Sequence, residues 1–266
     1  VGNTSMALIG AGSANTAIGH NAMTSTGTAA NNDATSNVAI GSNCLQGITD
    51  GDYNVAIGES ALYTLTTGYG NVAVGWYAGN TADTATVNAI DNVYVGKTAG
   101  RFMDDGQYNV AVGSRAMLGA STGNNATFNT AVGQAALLAI TTGDENTALG
   151  SNAGDALTTG AYNTLLGYDA ASTITTGYGN VVVGREAMKA AATGVLENTI
   201  VGYTAGNNGS FAADKVVLIG SQAGQGAMTD AADGTVAIGY QAGYALTSGA
   251  NNIAIGNEAL PAATTG

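Results

Sequence analysis

Nucleophilic catalysis needs a general base held beside a serine, threonine or cysteine, and this chain offers one histidine, His20, and one cysteine, Cys44. His20 stands in what reads as an ordinary corner, so no catalytic residue is expected and the chain reads as a non-enzyme. Zinc is disfavoured for a similar reason, since one His and one Cys do not supply the usual three or four nitrogen and sulfur ligands within a chain. Three copies of His20 could meet only on the axis of a trimer. Oxygen ligands are better represented. Asp50-Gly51-Asp52, Asp104-Asp105-Gly106, Asp144-Glu145 and Asp230 with Asp233 lie in tight turns where a Ca2+ ion could sit. None matches the Gly-Gly-x-Gly-x-Asp calcium roll or the twelve-residue calcium loop, and the favoured reading is solvated carboxylates that keep the chain soluble. Paired carboxylates also serve glycoside hydrolysis, but these pairs recur in repeated corners with no pocket signature, so a polysaccharide-degrading spike stays a lesser alternative. Aromatic residues are the remaining candidates. Tyr53, Tyr108 and Tyr162 precede an asparagine, Tyr69 and Tyr178 lie two before one, and Trp76-Tyr77, Tyr168, Tyr203 and Tyr240 follow a glycine. Exposed rings beside Asn and Asp suit sugars, and Tyr69, Trp76, Tyr77 and Tyr178 are the candidate surface-binding aromatics. The competing reading is a rung of stacked rings between neighbouring coils.

The elements that would position these residues follow from an internal repeat. A block Asn-Val-Ala-Ile/Val-Gly recurs with anchor glycines at Gly10, Gly19, Gly41, Gly58, Gly75, Gly96, Gly113, Gly133, Gly150, Gly167, Gly184, Gly202, Gly220, Gly239 and Gly256. Seven of the fourteen spacings are 17 and most others 18 to 22, as expected when a coil of fixed core carries surface insertions. The four residues before each glycine have the period of a strand. Seven residues past the anchor, the 17-residue coils carry Ile48, Leu65, Met103, Ile140, Leu157, Ile174 and Leu246, and ten past it a glycine, from Gly51 and Gly68 to Gly249. Those corner glycines usually follow two polar residues, which predicts a turn with positive φ.

The fold class is therefore all-β, a parallel β-solenoid or β-roll of about fifteen coils with a dominant 17-residue repeat. Each coil is expected to hold two short strands, with a triangular three-strand coil as the competing cross-section. Coils about 4.8 Å apart would make a rod on the order of 70 Å long. Residues 1–266 read as a single repeat domain, irregular in its first coil around 1–19 and consistent with a piece of a longer fibre. Insertions at Thr24 to Ser36, Asn80 to Asp91 and Leu118 to Phe128 are where such a scaffold would carry specificity.

Asparagine holds the place four before the anchor at Asn15, Asn37, Asn54, Asn71, Asn92, Asn109, Asn129, Asn146, Asn163, Asn180, Asn198 and Asn252. Stacked amides there would form a ladder that fixes register. The third residue past the anchor is almost always Ala, with Cys44 as a small core filler. In each strand Val and Ile are expected to fill the roll and the middle residue, Ala in nine coils, to face outward. Both faces would then be apolar, and another copy of the chain is the simplest cover, with a homotrimer as the favoured closed symmetry.

Asn-Val-Ala-Ile-Gly-x-x-Ala (Asn37 to Cys44, Asn54 to Ala61, Asn109 to Ala116, Asn252 to Ala259) resembles the head repeat of trimeric autotransporter adhesins. The resemblance covers nearly the whole chain and implies a trimeric, left-handed parallel β-roll; similar repeats occur in phage tail fibres and related virion appendages. The longer coil, with its Thr-Thr-Gly corner, departs from the adhesin head, and no neck, stalk or anchor is visible, which shifts the expectation toward a phage-type fibre. A formal charge of −12 with six basic residues excludes a nucleic-acid backbone as partner, and no apolar run is long enough for membrane insertion. The function expected is thus an extracellular structural or adhesive fibre segment, on a virion appendage or cell surface, meeting a host glycan or protein. A self-assembling filament with no receptor role is the alternative, and an ice-binding solenoid is less favoured because the paired threonines look like corners.

Overall fold

The computed structural model describes residues 5–6, 12–25, 33–80, 88–120, 124–191, 194–207 and 211–261. The chain divides into two compact units, Val1–Ala135 with Ala139–Thr142, and Ala136–Leu138 with Gly143–Gly266. In the first, β1 (Thr16–Ile18), β2 (Val38–Ile40), β3 (Val55–Ile57), β4 (Val72–Val74), β5 (Val93–Val95), β6 (Val110–Val112) and β7 (Thr130–Val132) follow one another. The second holds β8 (Thr147–Leu149), β9 (Thr164–Leu166), β10 (Val181–Val183), β11 (Thr199–Val201), β12 (Val217–Ile219), β13 (Val236–Ile238) and β14 (Ile253–Ile255). Within each unit every strand pairs in parallel with the next, in full register, as in Val38↔Val55↔Val72 and Val181↔Thr199↔Val217. The expected parallel β-solenoid is what the chain forms. A single 3-10 turn at Asp230–Ala232 is the one helical element among the described residues.

The strands are turned the other way from the sequence expectation. Ala39, Ala56, Ala73 and Ala111 are fully buried, whereas the flanking Val and Ile are half-buried or exposed. Each coil is a narrow loop, so the inward place tolerates only what fits across it. The β-branched residues, which suit a strand backbone, occupy the side with room. Small Ala thus belongs to the core, and the apolar surface in need of a cover is the Val/Ile face.

A second regular strand per coil is absent among the described residues. After the anchor the chain alternates left-handed residues with others, as at Ser60 (φ 56°) and Leu62 (φ 48°). A non-glycine residue in that region costs about 1–2 kcal/mol. Here the alternation aims successive amides at opposite neighbours: Ser60 donates to Ser42 of the coil before, at 2.9 Å, and Leu62 to Ala78 of the coil after, at 3.0 Å. Coil-to-coil bonding therefore continues through the turn, and Leu62 is buried by it.

Glycine is needed for space as much as for conformation. At Gly41 (φ 137°) an added Cβ would stand 2.6 Å from the Gly58 carbonyl oxygen, because anchor glycines of adjacent coils lie against one another. The corner glycines differ from expectation, since of Gly51, Gly68, Gly106, Gly143, Gly160, Gly177 and Gly249 only Gly249 has positive φ. At Gly51 a Cβ would crowd Ile48 Cδ1 at 3.1 Å and Asn54 Nδ2 at 3.3 Å, so close approach accounts for the residue.

The core is filled by an exchange of volume between two places. Six of the nine coils with Ala in the middle of the strand carry a large residue four past the anchor, as in Ala39 with Leu45, Ala56 with Leu62 and Ala111 with Met117, all buried. At Ala73, Ala148 and Ala237 that place is Gly79, Gly154 and Gly243, and side chains of neighbouring coils border it instead, Leu62 and Tyr94 at Gly79 and Leu137 and Leu165 at Gly154. Where the middle residue is large the other place shrinks: Tyr94 goes with Gly100, Ile200 with Gly206 and Leu218 with Gly224. A Cβ on Gly100 would overlap the Tyr94 ring, and one on Gly79 would lie 2.9 Å from it. The large residues seven past the anchor, Ile48, Leu65, Met103, Ile140, Leu157, Ile174 and Leu246, are buried as expected. Residues 26–32, 81–87 and 121–123 of the three insertions, and the first anchor Gly10 with Leu8, lie outside the described residues.

Candidate binding face

Because the middle residue turns inward, each strand presents its first and third residues outward. In the first unit Val38 and Ile40, Val55 and Ile57, and Val72 and Val74 form two registered columns; in the second Val181 and Val183, Thr199 and Val201, and Val217 and Ile219 do the same. Ile18 and Leu149 are 46% and 47% exposed, which for side chains of this size marks an uncovered apolar surface.

Behind the face runs the asparagine ladder. Within each unit Oδ1 of one member accepts the backbone N–H of the next, from Asn37 to Asn54 at 2.8 Å and Asn54 to Asn71 at 3.0 Å in the first and from Asn163 to Asn180 at 3.1 Å in the second. The side-chain amide donates onward to the corner carbonyl, as from Asn37 to Gly51 at 2.8 Å and from Asn146 to Gly160 at 2.9 Å. Asn15 begins it and Asn92, Asn109, Asn129 and Asn198 continue it. Val216 stands where the next member would be, and its N–H takes the last Oδ1, that of Asn198. Asn252 bonds instead to Gly249 of its own corner.

The acidic corners serve the backbone. Asp52 Oδ1 accepts from the Thr35 amide at 2.7 Å and its hydroxyl at 2.8 Å, Asp105 from the Asn88 amide, and Asp233 from the Asp214 amide at 2.8 Å. No group of three or more metal-ligating side chains occurs among the described residues. Burial first and the charge of Asp169 second push the Asp155 carboxyl above the usual range, and burial does the same at Asp214. Asp169 itself holds Lys189 Nζ at 2.7 Å and Asn152 Nδ2 at 3.0 Å. Cys44 is sealed in the core, where burial pushes its thiol up to about 11, and His20 is exposed just past its anchor.

The aromatic candidates separate into different places. Trp76 and Tyr77 meet edge to face at 4.7 Å, with Lys97 over Trp76 and Arg101 over Tyr77. Tyr178 lies 5.0 Å from Tyr162, whose phenol is pushed up by the carboxylate of Glu145. Tyr108 stacks on Phe128. Tyr69 is exposed, and its carbonyl accepts from Asp91 of the next coil. One arrangement escapes a reading of the tyrosines one by one: Arg185 sits 5.8 Å from both the Tyr168 and Tyr203 rings. Its sequence signal is that the place after the anchor is aromatic at Gly167, Gly202 and Gly239 and skips Gly184 and Gly220.

No protein-family model, no curated protein and no solved structure matches this chain. Among the described residues no helix is long and apolar enough to cross a membrane.

Proposed function

We propose that this chain is a non-enzymatic segment of an extracellular attachment fibre, of the kind carried by virions or cell surfaces, and that it assembles with copies of itself through its strand face. One observation carries the reading. The core closes on its own around Ala, yet the registered Val/Ile columns outside it stay open. An apolar surface of that regularity is a cost in water and a gain in an assembly. Closed rotational symmetry covers identical faces with identical faces, and the repeat's resemblance to adhesin heads favours three chains.

Light scattering on the chain at native concentration tests this. A three-chain mass is expected, and Ile57→Lys with Ile219→Lys, which place charge on the exposed columns, should return it to one chain. A monomeric wild type would overturn the assembly.

A further inference from the structure

The place after the anchor glycine forms a column whose spacing the backbone sets. Tyr168, Arg185, Tyr203, Ser221 and Tyr240 occupy it in five successive coils of the second unit. The carbonyl of each accepts from the next coil: Glu186 donates to Tyr168 at 2.8 Å, Thr204 to Arg185 at 3.0 Å, Gln222 to Tyr203 at 2.9 Å and Gln241 to Ser221 at 3.0 Å. Consecutive places are therefore one strand step apart, and the three tyrosines recur every second step, about 9.6 Å. All three rings are close to half exposed, at 47%, 48% and 47%. Arg185 between the first two braces them by cation–π contact. Beside the rings stand Glu186, Gln222 and Gln241, with Asp169 and Thr204 of the same column buried, and Gln241 Nε2 donates to Gln222 Oε1 at 2.6 Å.

A row of rings at every second step fits a ligand that shows the same apolar face once per two units. An extended β-1,4-linked polysaccharide does so, because alternate sugars are flipped and one disaccharide spans slightly more than two strand steps. The net charge of −12 favours an uncharged chain over a polyanionic one. We propose that Tyr168, Tyr203 and Tyr240 are a linear stacking track for an uncharged β-1,4-linked polysaccharide, each ring taking one sugar of successive disaccharides while the neighbouring amides bond its hydroxyls. This rests on the attachment reading above and names the ligand class for it.

The test is retention of the full chain on microcrystalline cellulose and on chitin, which share the linkage and separate its two sources, with amylose resin as the α-1,4 control. Retention on at least one β-1,4 polymer and not on amylose is expected. Tyr168→Ser/Tyr203→Ser/Tyr240→Ser should lower it at least tenfold; serine already holds this column at Ser151 and Ser221, and circular dichroism checks the fold. The sharper variant is Tyr203→Ser/Ser221→Tyr, which keeps the number of rings but breaks their spacing and should lose as much. Failure to bind either β-1,4 polymer, equal binding to amylose, or full binding by the displaced-ring variant would overturn the track. Light scattering on the same samples keeps the two readings apart, since an oligomer that ignores both polymers refutes the track alone.

Discussion

Oδ1 of Asn37 accepts two hydrogen bonds from Asn54, one from the backbone N–H at 2.8 Å and one from Nδ2 at 3.1 Å. Asn54 in turn serves Asn71 in the same way, at 3.0 Å for both bonds, and reaches the Gly68 carbonyl at 2.9 Å. One buried side chain thus joins a strand, the following coil and a corner. Truncation by Asn54→Ala leaves the Asn71 backbone N–H and the Gly68 carbonyl short of a partner, each worth about 1–3 kcal/mol when buried, while Asn71 Nδ2 keeps the Tyr69 and Ala89 carbonyls. A net loss of about 3 kcal/mol is expected, measured by urea unfolding, with the Asn71 amide losing protection in hydrogen exchange. Asn252→Ala, half-buried and outside the run, should cost much less.

The anchor column makes a second contrast. An added Cβ at Gly58 (φ 130°) would lie 2.5 Å from the Gly75 carbonyl, so Gly58→Ala combines backbone strain with a clash against backbone that cannot retreat. At Gly194 the nearest atom to such a Cβ is the Thr176 hydroxyl at 3.2 Å. Gly58→Ala should destabilise by at least about 3 kcal/mol and Gly194→Ala by less than about 1 kcal/mol, read from paired thermal melts.

The repeat could be read from the sequence because a solenoid restates each constraint in every coil. The Asn column, the Ala column with Cys44 and the large residues seven past the anchor recur so often that register, and burial for the latter two, follow from position alone. The face of the strand did not, since Val and Ala are both apolar and period two cannot say which side is inside. What decides it is width, visible only in the pairing of small with large, Tyr94 with Gly100 or Ala56 with Leu62. The left-handed turn residues, such as Ser60 and Leu62, carry no glycine to announce them. The tyrosine row was equally hidden, because its meaning lies in the spacing of Tyr168, Tyr203 and Tyr240 across coils.

Asp155 supplies a pH dependence. Its folded pKa is raised, so the protonated form is the one the fold prefers. The associated stability is full below the ordinary carboxylate value, about 4, and is lost as pH rises through the raised value. Asp155→Asn removes the charge and should raise Tm at pH 7. The difference from wild type should close as pH falls toward 4, and thermal melts across that range measure it. A gap that stays constant with pH would assign the effect to packing.

The exchange of volume between Tyr94 and Gly100 can be tested as a cycle. Tyr94→Ala alone opens a cavity where a fully buried ring lay and should cost about 3–5 kcal/mol. Gly100→Met alone drives a side chain into that ring, whose atoms already border the glycine, and should cost at least as much. Together they rewrite the coil as its neighbour, where Ala111 and Met117 are both buried and Met117 (φ 48°) takes the same left-handed turn as Gly100 (φ 60°). The double variant should therefore recover most of the loss, with a coupling energy of at least about 2 kcal/mol by urea unfolding. Additive losses would mean that the two places do not share one space in the core.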